Sequence, residues 1–337
     1  MKSKRSNYKK PRRSKHSYNK PKEKREFYTK ENIFVSRMAS ILLLPKDKIV
    51  PLFSQRAKTT IRLNPLKGDV KKTKNSLIRK GYDLEQIPWE ENTYFVLNKD
   101  KNEVSQSREY EEGKFYIQNL SSILASVLLE PEKEEKILDM CAAPGSKTTH
   151  LAALTNNRAE IIANDSEISR VNSLNRVVEQ FGVKNCKATL SDGEDFGKKY
   201  PVSFEKVLLD APCSGEGMIY MRGPKPLRFW SIQKVNRYSQ IQRRLIESAF
   251  LSLNHGGSMI YSTCTLEPEE NEGAVTYLLE KYPNARIEEI DLHPSIKHEK
   301  GITKWSGNKY HPDVKKTVRI TPSSEMMGFY IAKIFKE

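Results

Sequence analysis

Apolar residues recur along the early part of this chain first at helical and then at alternating spacing. Ile33, Val35, Met38, Ala39, Ile41, Leu42 and Leu43 fall at near-helical intervals, and Ile49, Leu52 and Phe53 predict a second helix after Pro45. Residues 59–63 read as a strand, 70–80 as a Lys-rich helix stopped at Gly81, and 94–97 as another strand. Together they predict a small α+β unit over 31–115. From about residue 120 the texture changes to short apolar runs separated by amphipathic stretches, the pattern of a parallel sheet with helices on both faces. The strands are expected at 136–140, 160–164, 187–190, 206–210 and 258–263, the helices at 147–154, 167–181 and 231–253, and a last strand at 328–335. This second unit is expected over 116–337.

Charge adds a third segment. The net charge is +16, yet residues 1–25 hold twelve Lys or Arg against the single acid Glu23, so this stretch carries +11 and the remainder +5. With Pro11, Pro21, many polar residues and almost no aliphatic ones, residues 1–30 are expected to be a disordered basic tail. Such a tail only aids solubility, or binds a polyphosphate, gaining free energy from counterion release with Tyr8 and Tyr18 available to stack on bases, or meets a membrane surface, for which no apolar anchor accompanies the charge. No run approaches 18 apolar residues and the N-terminus is too charged for a signal peptide, so a soluble, intracellular, monomeric protein is expected. The four cysteines, Cys141, Cys186, Cys213 and Cys264, form no C-x-x-C pair, which disfavours disulfides and structural zinc; no metal is expected. Cys141 and Cys186 read as small core residues.

Residues 137–148 combine a strand end, a turn of small residues (Cys141, Ala142, Ala143, Pro144, Gly145, Ser146) and a helix start at Lys147. Small side chains there let a ligand approach backbone amides. Asp165, twenty positions after Gly145, ends the next strand, where a carboxylate can accept from both hydroxyls of a ribose; Asp192, after the third strand, is placed for an adenine edge. A phosphate-binding P-loop would need Gly at 141 and 146, where Cys and Ser stand, and no G-x-G-x-x-G is present. Taken alone, the segment fits an ordinary strand-to-helix turn equally well.

Cys213 and Cys264 each follow an apolar strand and so face the same rim, the carboxyl ends of the parallel strands. With DMCAAPGSKT at 139–148, DAPCSGEG at 210–217 and STCTLEPEENE at 262–272, the chain resembles the Sun-related (Nop2/Sun-type) RNA cytosine-C5 methyltransferases. The resemblance runs from FYIQNLSS at 115–122 to the closing GFYIA at 328–332. It implies a Rossmann-like class I fold and S-adenosyl-L-methionine as methyl donor. It further implies that Cys264 attacks and Cys213 assists product release, and that cofactor contacts fall at Cys141–Lys147, Asp165, Arg170, Asp192 and Asp210. A DNA enzyme of this chemistry carries its nucleophile in the P-C motif alone, so Cys264 points to RNA.

The chemistry is consistent with that assignment. Carbon 5 of cytosine becomes nucleophilic only after something adds at carbon 6, and a thiolate can add and later be expelled. Cys264 is expected to ionise near Lys147 or a helix N-terminus, and Cys213 to act as a base directly or through water. Asp210, oriented by Lys147, is expected to hydrogen-bond the ring near N3. The base must be splayed out of a stack, so irregular RNA is the expected substrate. Ribosomal RNA is preferred over transfer RNA on the strength of the tail, and the cytoplasm is expected, or the nucleolus in a eukaryote. The competing reading is an RNA-binding assembly factor in which methylation is secondary. His293, Trp305, Tyr310 and His311, in the loop after Ile290, fit either RNA contact or local packing.

Overall fold

The structure, a computed structural model, describes residues 29–337, so most of the basic tail lies outside the described residues. Helix α1 (Lys30–Ile41) starts where the Thr29 hydroxyl accepts from the Asn32 amide, and it buries Phe34, Met38, Ala39 and Ile41. After α2 (Lys46–Leu52) come β1 (Thr59–Leu63), α3 (Val70–Arg79), capped by Asp69, then β2 (Leu84–Gln86), β3 (Thr93–Val96) and β4 (Phe115–Ile117). These strands form an antiparallel sheet in the order β2-β3-β1-β4. At three residues each, β2 and β4 are too short for side-chain alternation to show. The two leading helices turn elsewhere: Phe34 packs edge-on against Phe53 at 5.2 Å and Trp230 at 5.3 Å, in a cluster that also holds Leu227 and Leu266.

The larger unit begins with α4 (Leu120–Leu128) and β5 (Lys136–Asp139), followed by α5 (Ser146–Leu154), β6 (Glu160–Asp165), α6 (Ile168–Gln180), β7 (Cys186–Leu190) and β8 (Phe204–Asp210). Helix α7 (Ile232–Ser252) leads into β9 (Leu253–Thr263), and α8 (Glu272–Lys281) into β10 (Ala285–Glu288), β11 (His298–Lys300), β12 (Val318–Ile320) and β13 (Phe329–Lys336). Strands β7-β6-β5-β8-β9 are parallel, as expected. The last strand is antiparallel to β9, and its free edge takes β12 over its first half and β10 over its second. Strand β9 starts earlier than its sequence suggests, at Leu253, because the polar stretch Asn254–Gly257 is spanned with a register shift opposite Phe204 and Lys206.

Alternate residues of each strand feed opposite layers. Ile137, Leu208, Ile260 and Ile331 pack with α4, α5 and α6, while Leu138, Val207, Leu209, Met259 and Tyr330 pack with α7 and α8. Both faces are therefore covered, the condition under which parallel strands read as continuous apolar runs. The strand order reverses between β5 and β8, which opens a crevice at their carboxyl ends. Among the described residues, no helix is long and apolar enough to cross a membrane.

Candidate active site

A cavity of about 540 Å³ occupies that crevice. Cys141, Ala143, Pro144, Asp165, Arg170, Asp192, Asp210, Cys213 and Cys264 all line it. Ala142, Gly145, Ser146 and Lys147 instead shape the turn behind the lining. Gly145 has φ +111°, and a Cβ there would meet Leu174 and Val177 at 3.0 Å, so this glycine serves close packing on α6. Asp165 is buried and held in place: one oxygen accepts from the Ala143 amide (3.3 Å) and from Arg170 Nε (3.1 Å), while Arg170 also donates to the Ala143 carbonyl (2.9 Å). Asp192 accepts from the Glu194 amide at 3.0 Å and sits at the cavity edge. Met140, Gly193, Tyr238, Ile241 and Leu245 complete the walls. The last three lie on α7, whose apolar stripe reads as core in the sequence and here serves core and cavity together.

The two thiols meet. Cys213 Sγ lies 2.9 Å from Cys264 Sγ although 51 positions separate them in sequence. Parallel pairing of β8 with β9 sets this distance, and the loops beyond are tied by Ala211 N donating to Ser262 O (2.8 Å) and Gly217 N to Cys264 O (2.9 Å). The bond to Cys264 and then burial hold the Cys213 thiol well above its ordinary pKa, with Glu270 and Glu216 adding repulsion. The Lys147 ammonium donates to Asp210 Oδ2 at 2.5 Å, and Ser262 Oγ donates to Asp210 Oδ1 at 3.0 Å. Lys147 thus fixes the orientation of Asp210. Burial raises the thiols of Cys141 and Cys186, the latter to about 12, which suits the inert roles expected of them.

Behind the thiols lies a set of buried acids that belong to the 210–217 and 262–272 motifs. Ser214 Oγ donates toward both Glu216 and Glu270, Thr265 Oγ1 donates to Glu216, and Glu270 also accepts from the Ser214 amide (3.0 Å) and Gln242 Nε2 (2.7 Å). A serine hydroxyl has one proton to give. Burial pushes both carboxyls up, and the Ser214 and Thr265 hydroxyls between them tie the Cys213 loop to the Cys264 loop. Their spacing in two separate motifs carried no signal that they meet.

Of the residues singled out after Ile290, two pack locally and two make turn contacts. Trp305 joins the α1 cluster beneath Arg37, 5.2 Å from its ring, and Tyr310 packs on the α7–α8 layer. The His293 and His311 rings accept from the Ser295 and Asp313 amides, each at 3.2 Å.

Residues 126–335 match the family pattern of the 16S rRNA methyltransferase RsmB/F, and residues 31–120 that of the N-terminal domain of 16S rRNA methyltransferase RsmF. A tRNA (cytosine(49)-C(5))-methyltransferase of Pyrococcus abyssi is 43% identical over 82% of this chain and 88% of its own length. Ribosomal RNA small subunit methyltransferase F of Shewanella sp. (strain MR-7) is 39% identical over 72% of this chain, which spans 50% of that relative. Among solved structures, a methyltransferase homolog from Pyrococcus horikoshii superposes with a TM-score of 0.79 at 29% identity, covering 93% of this chain and 97% of that one. NSun6 from Pyrococcus horikoshii with SFG does so with a TM-score of 0.70 at 27% identity, covering 94% and 98%. The RsmB/F pattern covers the whole sheet on whose rim the thiols meet, and this chain belongs to that Sun-type family of RNA methyltransferases.

Proposed function

We propose that this protein methylates carbon 5 of a cytosine in RNA, with S-adenosyl-L-methionine as donor, Cys264 as nucleophile and Cys213 as its assistant. The observation that carries this is the pair of sulfur atoms 2.9 Å apart at one end of a cavity whose other end is lined by Asp165 and Asp192. The residues fit the cofactor: a buried carboxylate fixed by Arg170 has lone pairs left for ribose hydroxyls, Asp192 meets an adenine edge, and Met140, Ile241 and Leu245 offer apolar walls. SFG, bound to the NSun6 neighbour, is an analogue of that donor. When bound, S-adenosyl-L-methionine supplies the electrophilic methyl group.

The protein does the rest. Cys264 sulfur adds to carbon 6 of the ring, which makes carbon 5 nucleophilic. Asp210, held by Lys147 and Ser262, is placed to hydrogen-bond the ring near N3, where a proton taken up during addition offsets the negative charge and is given back on release. After methylation the carbon-5 proton leaves to solvent and the carbon–sulfur bond breaks. Cys213 Sγ, 2.9 Å from Cys264 Sγ, is placed to hydrogen-bond the departing Cys264 sulfur through its S–H and so assist release. The basic tail over 1–30 and the unit over 31–115 hold the RNA, and 116–337 performs the chemistry. Ribosomal RNA is the first substrate reading, on the tail's charge. Transfer RNA is the second, favoured because this chain spans most of the tRNA-modifying relative and only half of the rRNA-modifying one.

The test is transfer of labelled methyl into tRNA and 16S rRNA transcripts by wild type, Cys264→Ala and Cys213→Ala, with the product base identified by mass spectrometry. We expect 5-methylcytosine with wild type, none with Cys264→Ala, and a denaturant-resistant protein–RNA adduct with Cys213→Ala. Label retained by Cys264→Ala would overturn the assignment.

A further inference from the structure

A second cavity, of about 280 Å³, opens beside the catalytic one. The end of α2, the segment 217–220 that follows the Cys213 loop, and the turn at 322–327 enclose it. Met218 lines both cavities and is largely exposed, so the two are neighbouring chambers of one cleft. The partition is main chain: Gly217 N donates to Cys264 O at 2.9 Å, and Gly328 N to Gly217 O at 3.2 Å.

Its lining differs from that of the catalytic chamber. The Arg56 guanidinium lies over the Tyr220 ring, 4.8 Å from its centroid, and Met218, Met326 and Met327 contribute thioethers. Stacked guanidinium and aromatic planes beside polarisable sulfur form a surface suited to a flat, electron-rich ring. Exposed Arg222, Lys225 and Arg228 follow directly in the chain and favour a polyanion at the rim. Opposite, Glu325 is engaged by Lys58 at 3.3 Å, so its charge is partly neutralised.

We propose that this cavity receives the base of the nucleotide adjacent to the target cytosine in the same RNA strand, and so contributes sequence context to substrate choice. The proposal rests on the RNA-methylation reading above. A cytosine reaches Cys264 only when unstacked, which strips its neighbour of one stacking face. A chamber one main-chain layer from the nucleophile's loop, floored by Arg56 and Tyr220, replaces that face. A stack of this kind binds substrate and transition state alike, so its loss appears in KM rather than kcat.

Once wild-type enzyme has located its cytosine in the tRNA or 16S rRNA transcripts, short RNAs spanning the site are made intact or abasic at either neighbour. Wild type, Arg56→Ala and Tyr220→Leu are compared, with thermal melts confirming the fold. One abasic replacement should raise the wild-type KM about 5- to 150-fold, with kcat nearly unchanged. Each variant should show a similar rise on intact RNA and little further loss on the abasic RNA. Indifference of wild type to both abasic RNAs, or variant effects as large on abasic as on intact RNA, would overturn the base chamber while leaving the methylation reading standing. No transfer into any RNA by wild type would overturn the methylation reading, and the chamber with it.

Discussion

Replacing Asp139 by Asn should reverse part of the pH dependence of folding. Asp139 ends β5 inside the protein, where one carboxyl oxygen accepts the Thr148 hydroxyl at 2.7 Å and the other, fully buried, has no hydrogen-bond partner. Burial pushes its pKa from 3.8 up to about 7, against the opposing pull of Thr148 and Lys147 and with added repulsion from Asp210 and Asp165. Below pH 3.8 both folded and unfolded chains hold the proton, and the site adds no pH dependence. Between 3.8 and about 7 the unfolded chain has released its proton and the folded chain has not, so stability falls by about 1.4 kcal/mol per pH unit. The loss is complete above about 7 and amounts to about 4 kcal/mol. Asn at this position keeps the acceptor for Thr148 and lacks the slope. It buries an amide donor without a partner, an offset of about 1–3 kcal/mol that does not vary with pH. Urea unfolding of both proteins between pH 4 and 7.5 should therefore show the variant gaining about 4 kcal/mol relative to wild type across that range. Parallel stability curves would refute the reasoning, since the other buried acids are common to both proteins and cancel in the difference.

Two further perturbations test the frame around the site. Arg319 and Glu272 form an ion pair at 2.5 Å with both side chains fully buried, so Arg319→Met, which strands the carboxylate, should cost about 3–5 kcal/mol in urea unfolding at pH 7; a loss under about 1 kcal/mol would show that water reaches Glu272. Gly217→Ala would place a Cβ 1.8 Å from Gly328 O and 2.9 Å from Cys264 O, so the Cys264 loop must move; turnover should fall about 100-fold with a folded protein by circular dichroism, and undiminished turnover would show that the loop tolerates the shift.

Much of the larger unit was legible along the chain because a parallel strand buried on both faces carries a continuous apolar run, as at 137–138 in β5, 161–163 in β6, 207–209 in β8 and 259–261 in β9. The small-residue turn over 141–146 and both cysteines were legible for a related reason: chemistry beyond strand ends needs particular residue types directly after particular strands. What the linear pattern could not supply was any pairing across long separations. That Cys213 and Cys264 lie 2.9 Å apart follows from β8 and β9 being neighbours in register. The sharing of Ser214 by Glu216 and Glu270 follows from the same neighbourhood. Strands of three or four residues such as β4, β10 and β12 leave no periodicity to read, yet β10 and β12 owe their places to the long edge of β13. The apolar face of α1 was plain in the sequence, but its seat against Trp230 was not, because amphipathicity says which face is buried and never what covers it. The sequence by itself determined the class of fold and the residue types available for chemistry, through local periodicity and strand-end placement. Distances, buried hydrogen-bond partners and the second chamber beside the Cys264 loop were decided by tertiary structure alone, since each depends on segments that touch only after the sheet has closed.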